Sequence, residues 1–244
     1  MTTSGTSTFN LSILEIAEES WERLGGREIR SGYDLKTTRR SLNLLFTELA
    51  NRGINLWTIE EGSIPLYPGQ ITYDLPVDTV DLLDQVTRTG SGQNQTDINI
   101  NRISESTYST IPNKNATGRP IQVWINRRSG ATYPVTGVAN PQINIWPTPD
   151  QGSVGNPFYT FVYWRLRRIQ DAGNGDTTQD IPFRFLNAII AGLSYYLSIK
   201  LPGVDPNRIV MLKADYDQQL QLALDEDREK ASDRFVPRLG IYGR

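Results

Sequence analysis

The strongest constraint on the fold is a change of hydrophobic period along the chain. At both ends apolar side chains recur every three or four residues, and in the middle they recur every second residue. A spacing of three and four makes an apolar stripe on a helix, and strict alternation makes a half-buried strand. Leu14, Ala17, Trp21 and Leu24 give residues 11–24 a helical stripe, stopped by Gly25 and Gly26. Asp34 is placed to cap a second helix reaching Arg52, with the stripe Leu35, Leu42, Leu45, Phe46 and Leu49, closed by Gly53.

Residues 54–59 then alternate as a strand buried on both faces is expected to. Further strands are predicted at 71–75, 80–88, 97–101, 121–125, 142–146 and 159–166. A polar turn is expected at 89–97 and one helical turn at 104–110. The helical period returns after Pro182, a favourable first-turn residue. Residues 183–200 are apolar almost all round (Phe185, Leu186, Ile189, Ile190, Leu193, Tyr196, Leu197), which predicts a helix packed on several sides. Pro202 and Gly203 stop it, and Asp205 starts a long helix to about Ser232 with the stripe Ile209, Leu212, Tyr216, Leu220, Ala223 and Leu224.

The expected architecture is α+β. About four helices from the two chain ends form one antiparallel bundle, and an antiparallel β-sheet or small β-sandwich of about eight short strands is inserted between them. The corresponding division is residues 1–53 and 181–233 for the bundle halves, 54–180 for the inserted β-rich domain, and 234–244 as a separate C-terminal docking segment. No internal repeat is visible.

Composition narrows the function. The chain of 244 residues has no Cys and no His. Imidazole bases, thiol nucleophiles and the usual zinc sites are therefore excluded, and no disulfide can form. A carboxylate enzyme survives this filter. However, the adjacent Glu60 and Glu61 would point to opposite faces of a strand and do not make a two-carboxylate site by themselves. Asp97, Asn99 and Asn101 put oxygens on one strand face but lack the glycine and distal glutamate of a calcium loop. No metal or cofactor is expected. With 25 basic and 27 acidic residues the chain also lacks the basic excess of a freestanding DNA binder. Residues 1–7 carry no signal-peptide pattern. The apolar run 185–197 is too short for a hydrocarbon layer about 30 Å thick. The chain is expected to be made in the cytoplasm and not exported by a standard route.

Several residues have a plain and a sharper interpretation. Trp57, Trp124, Trp146 and Trp164 are expected to pack in the core or between strands rather than to form a sugar platform. Arg165, Arg167 and Arg168 are expected on a solvated strand face that guards an edge, with DNA contact as the minority alternative. Residues 205–233 hold eight acids against four bases, so the last helix has an acidic face, solvated or turned to a channel or interface. Residues 234–244 reverse the sign. Arg234, Arg238 and Arg244 stand among Phe235, Val236, Leu239, Ile241 and Tyr242 with no acid, a composition suited to docking on another surface.

One ordered set of short motifs carries a resemblance. It runs Tyr33-Asp34-Leu35, Arg39-Arg40-Ser41-Leu42-Asn43, then residues 49–62 including Arg52-Gly53, Trp57 and Glu60-Glu61-Gly62, and then Tyr73-Asp74-Leu75-Pro76. It ends with Pro182, Phe183 and Phe185 ahead of an apolar helix and a long acidic one. This order resembles the head–tail adaptor family of short-tailed phages, of tail tubular protein A type. The resemblance implies a structural virion protein, not an enzyme, assembled in the host cytoplasm. It would form a dodecameric ring around the DNA exit channel, bound to the portal on one side and a tubular-protein-B-like nozzle on the other, with fibre attachment left open. It further implies that residues 234–244 reach the portal. Arg39 and Arg40 sit early in the second helix, where one of them points away from the apolar stripe, as plain surface charge or for an ion pair across subunits. The alternative of a different class is a cell-wall-degrading or carbohydrate-binding tail protein, suggested by the aromatic-rich strands.

Overall fold

The computed structural model describes residues 3–25, 32–54, 56–127 and 140–227. The fold is mixed α+β, with five helices and ten strands among the described residues. The chain divides into two compact units, one of residues 1–46 with 171–244 and one of residues 47–170.

The first unit is helical. Helix α1 (Ile13–Glu22) begins at a capping box: Ser12 Oγ accepts from the Glu15 N–H, and Glu15 Oε2 accepts from the Ser12 N–H at 2.7 Å. Those bonds from Ser12 hold the Glu15 carboxyl below the usual carboxylate range. The buried face of α1 is Ile13, Ile16, Ala17, Ser20 and Trp21, so the stripe runs through Ile13 and Ile16, and Leu14 is only half-buried. Helix α2 (Gly32–Asn51) already includes Asp34 in its first turn, so Asp34 is an acid at a helix N-terminus and not the cap. Helix α4 (Leu186–Lys200) buries ten of its fifteen residues and packs against both α1 and α5 (Pro206–Glu226).

The close approach has a visible cause. A Cβ on Gly192 of α4 would lie 2.8 Å from the Tyr216 ring of α5 and 3.0 Å from Leu45 Cδ1 of α2, so three helices converge where a side chain is missing. Polar bonds fix the remaining contacts. Trp21 Nε1 donates to Thr38 Oγ1 at 2.8 Å, tying α1 to α2, and Lys200 Nζ donates to Ser41 Oγ at 3.2 Å, tying α4 to α2. The stretch before α4 is stitched to α1 by Ile13 N–H to Thr177 O and Leu14 N–H to Gly175 O.

The second unit is a pair of four-stranded sheets. One has the order β1 (Ile59–Leu66), β10 (Tyr159–Arg167), β3 (Thr79–Thr89), β4 (Thr96–Asn99), antiparallel throughout. The other has the order β2 (Thr72–Asp74), β7 (Gln142–Trp146), β6 (Gln122–Asn126), β5 (Asn101–Ile103). The β5–β6 pair is parallel, a departure from the expected all-antiparallel arrangement. Alternate residues of both sheets (Leu66, Tyr73, Leu82, Val123, Ile143, Phe161 and Tyr163 among them) meet in one buried cluster. The short helix α3 (Glu105–Ser109) and a small hairpin, β8 (Gly152–Ser153) with β9 (Asn156–Pro157), decorate this unit.

Two strand expectations are corrected, and one strand pair lies where none was expected. Residues 56–58 form a 3-10 turn and the strand starts at Ile59. The chain turns at Gly53 (φ 75°), Ile54 N–H closes on Leu49 O, and Leu56 is left 47% exposed, so no two-faced buried strand forms there. Residues 97–101 are not one strand, because β4 belongs to one sheet and β5 to the other. Ile100, 3% exposed, sits in the core between them and imitates alternation in sequence. The β8–β9 hairpin has no apolar alternation and was not anticipated.

Candidate interaction surfaces

The described residues hold no group of three or more Asp and Glu side chains placed to bind a metal. Asp97 is taken by Arg88, whose Nε and Nη2 reach its two oxygens at 2.8 and 2.9 Å. Asn99 and Asn101 lie in different sheets, so the oxygens once aligned in sequence are not brought together.

Arg165 and Arg167 overturn both of their expected roles. Their side chains are only 12% and 11% exposed, which makes neither a solvated face nor a DNA contact. On the β10 strand they flank a register shift, and both turn toward Glu60 of β1. Arg165 reaches Glu60 Oε2 at 2.8 Å, Asp78 Oδ1 at 2.6 Å and Thr79 Oγ1 at 3.0 Å, while Arg167 Nε reaches Glu60 Oε1 at 2.6 Å. The hydrogen bond from Arg165 holds the Asp78 carboxyl below the usual carboxylate range. The sequence signal for this network was opposite charge at facing positions of adjacent strands, legible only once the pairing Glu60 with Arg165 is known. Glu60 is therefore spent on structure, and Glu61 stands opposite Trp164.

The tryptophans of the β unit are also displaced from expectation. Trp57, Trp124, Trp146 and Trp164 are half-buried, and the fully enclosed rings are Tyr73, Tyr159, Phe161 and Tyr163. Trp124 stacks on Tyr108 of α3 with centroids 5.1 Å apart, and Trp146 Nε1 donates to Asn113 O. They fasten peripheral segments to the sandwich.

In the helical unit Arg39 turns inward. Its Nη2 donates to Ala172 O at 3.2 Å, and its Nε is buried with no hydrogen-bond partner. Arg40 is exposed. The acidic face of α5 is partly pinned down, since Asp215 pairs with Arg23 and Asp227 pairs with Arg184, while Asp217 stays exposed. Leu44, Ile199, Val210, Met211 and Leu222 are more than half exposed on the helices. Arg234, Phe235, Val236, Arg238, Leu239, Ile241, Tyr242 and Arg244, the expected docking residues, lie outside the described residues.

A groove of about 490 Å³ runs beside α1 in this unit. Leu186 and Ile190 contribute to its apolar lining, and Phe9 and Phe183 meet edge to face at 6.4 Å, 66% and 69% exposed. Glu15, Glu18, Glu19 and Glu22 line its α1 side.

The helical unit thus presents exposed apolar side chains and an open groove, and in the β unit Glu60, Asp78 and Asp97 are held in ion pairs. The chain belongs to the SU10 adaptor protein family, whose model matches residues 13–238, and so to a family of phage head–tail adaptors. No curated protein matches the chain. An adaptor family is a structural one with head and tail components as its partners, and its members are virion components. Among the described residues, no helix is long and apolar enough to cross a membrane.

Proposed function

We propose that the chain is the ring subunit that joins portal to tail nozzle in a short-tailed phage, its copies, about twelve as the resemblance implies, closing by head-to-tail rotation around the DNA exit channel. The observation that carries this reading is the adaptor-family match over residues 13–238, which spans both compact units. On this reading the helices of residues 1–53 and 181–233 act as one antiparallel four-helix bundle, the β-rich residues 54–180 face the tail, and residues 234–244 dock on the portal.

The exposed Leu44, Ile199, Val210, Met211 and Leu222 supply apolar surface for head-to-tail contact between copies, and Arg40 is free to reach an acid of a neighbour. The ring is passive: it offers a platform and a lined channel, and it carries out no chemistry. Deleting residues 234–244 is expected to abolish co-sedimentation with portal rings while leaving the circular dichroism spectrum that of a folded chain. Undiminished portal binding by the shortened chain would contradict the docking role. A zymogram on host cell wall is expected to stay at background, and clear lysis would favour the muralytic alternative.

A further inference from the structure

We infer that the groove beside α1 is the seat of the chain's own segment 234–244 before assembly, a site that goes beyond the portal-docking reading and does not depend on it. The groove and the segment are complementary in both apolar character and charge. The groove offers Leu186 and Ile190 with the exposed pair Phe9 and Phe183, next to four glutamates of α1. Glu15 is held in the capping box and Glu19 by Arg23. Glu18 and Glu22, one turn apart and exposed, have no ion-pair partner among the described residues. Both arginines that line the groove are occupied, Arg23 by Glu19 and Asp215, and Arg184 by Asp227. The groove thus offers the exposed rings of Phe9 and Phe183 over the buried Leu186 and Ile190, and carries four carboxylates against two arginines already paired. Residues 234–244 carry three arginines, five apolar side chains and no acid.

The path of the chain favours the same molecule as donor. The last described residue, Asp227, is bound by Arg184, itself a lining residue of the groove, so the chain leaves α5 at the groove's edge. Six residues, 228–233, separate it from Arg234. Extended, they span about 20 Å, at roughly 3.3 Å per residue. Helix α1, which forms one wall, has ten residues and is about 15 Å long at 1.5 Å per residue. The connection therefore reaches any point of the groove, and about five extended residues fill it, enough for Phe235 to Leu239. A short tether holds the segment at an effective concentration on the order of millimolar, far above that of a second copy in dilute solution. Seated there, Phe235 and Leu239 would cover exposed aromatic surface that otherwise meets water, and the arginines would answer Glu18 and Glu22.

The absence of cysteine makes the test clean. Asn187→Cys, on the groove wall, is combined with Gly240→Cys in the full chain, and disulfide formation is followed under mild oxidation without portal. The expected product is a cross-linked monomer. Its rate should fall about tenfold when Arg234, Arg238 and Arg244 are changed to Glu, and should recover when Glu18→Lys and Glu22→Lys are added to that variant. Cross-linked dimers would assign the groove to a second copy's segment and overturn the proposal. Equal rates with either tail charge, or no cross-link, would overturn it too, and none of these results bears on portal binding.

Discussion

Arg165 shows how a residue can look exposed in sequence and be structural in fact. An arginine at 12% exposure with carboxylates of Glu60 and Asp78 within 2.8 Å joins three strands or their ends through charge-assisted bonds. Arg165→Met keeps the stem but leaves Asp78 without its ion-pair partner while Arg167 still holds Glu60, and is expected to cost about 1–3 kcal/mol in urea unfolding. The network also sets a pH dependence. Because the folded-state carboxyl of Asp78 titrates below its unfolded value of about 3.9, its contribution is fully present above that pH and is lost as the pH falls through the depressed value. The wild-type chain should thus lose stability on acidification toward pH 3 more steeply than Arg165→Met, as urea midpoints across pH 3–6 would report. Gly192 is the matching case among the helices. Gly192→Val places a Cβ with two methyl groups where Tyr216 and Leu45 already stand, and should cost about 1–3 kcal/mol. That corresponds to a melting temperature lower by several degrees for a chain of this length. An unchanged melting temperature would mean that the helices do not meet as described.

At the scale of elements, residues with a period of their own were legible and residues whose partners decide were not. The apolar runs marked α4 and α5 and most of their buried faces: Leu212, Tyr216, Leu220 and Ala223 are buried as the stripe requires, whereas Ile209 and Leu224 are half-buried and α5 closes at Glu226, capped by Asp227, short of the expected Ser232. The period-two runs at 121–125, 142–146 and 159–166 likewise became β6, β7 and β10, with β6 shifted by one residue and β10 one residue longer. Residues 97–101 misled because alternation cannot say that a chain crosses from one sheet to another, and residues 54–58 misled because apolar content alone does not distinguish a tight turn from a buried strand. The arginine network was out of reach because strand register is set by pairing far along the chain, with Glu60 and Arg165 105 residues apart. The start of α1 is also a local matter and legible in the chain: Ser12 with Glu15 three residues on is a capping box. Ser12→Ala should cost about 1 kcal/mol and raise amide exchange in the first turn of α1, with little change in the sheets.

For the whole molecule, helices with uncovered apolar positions and a sandwich braced by the Arg165, Arg167, Glu60 and Asp78 network fit a part of a larger particle. The family match and these surfaces agree on an adaptor, and the proposed ring gives the exposed side chains neighbours. The most direct test is a cryo-electron microscopy map of the intact phage particle at the vertex that carries the tail. The account predicts a closed ring of this chain between portal and nozzle, with density for residues 234–244 running along the portal. A particle whose junction is built without this chain, or in which the chain sits elsewhere, would contradict it.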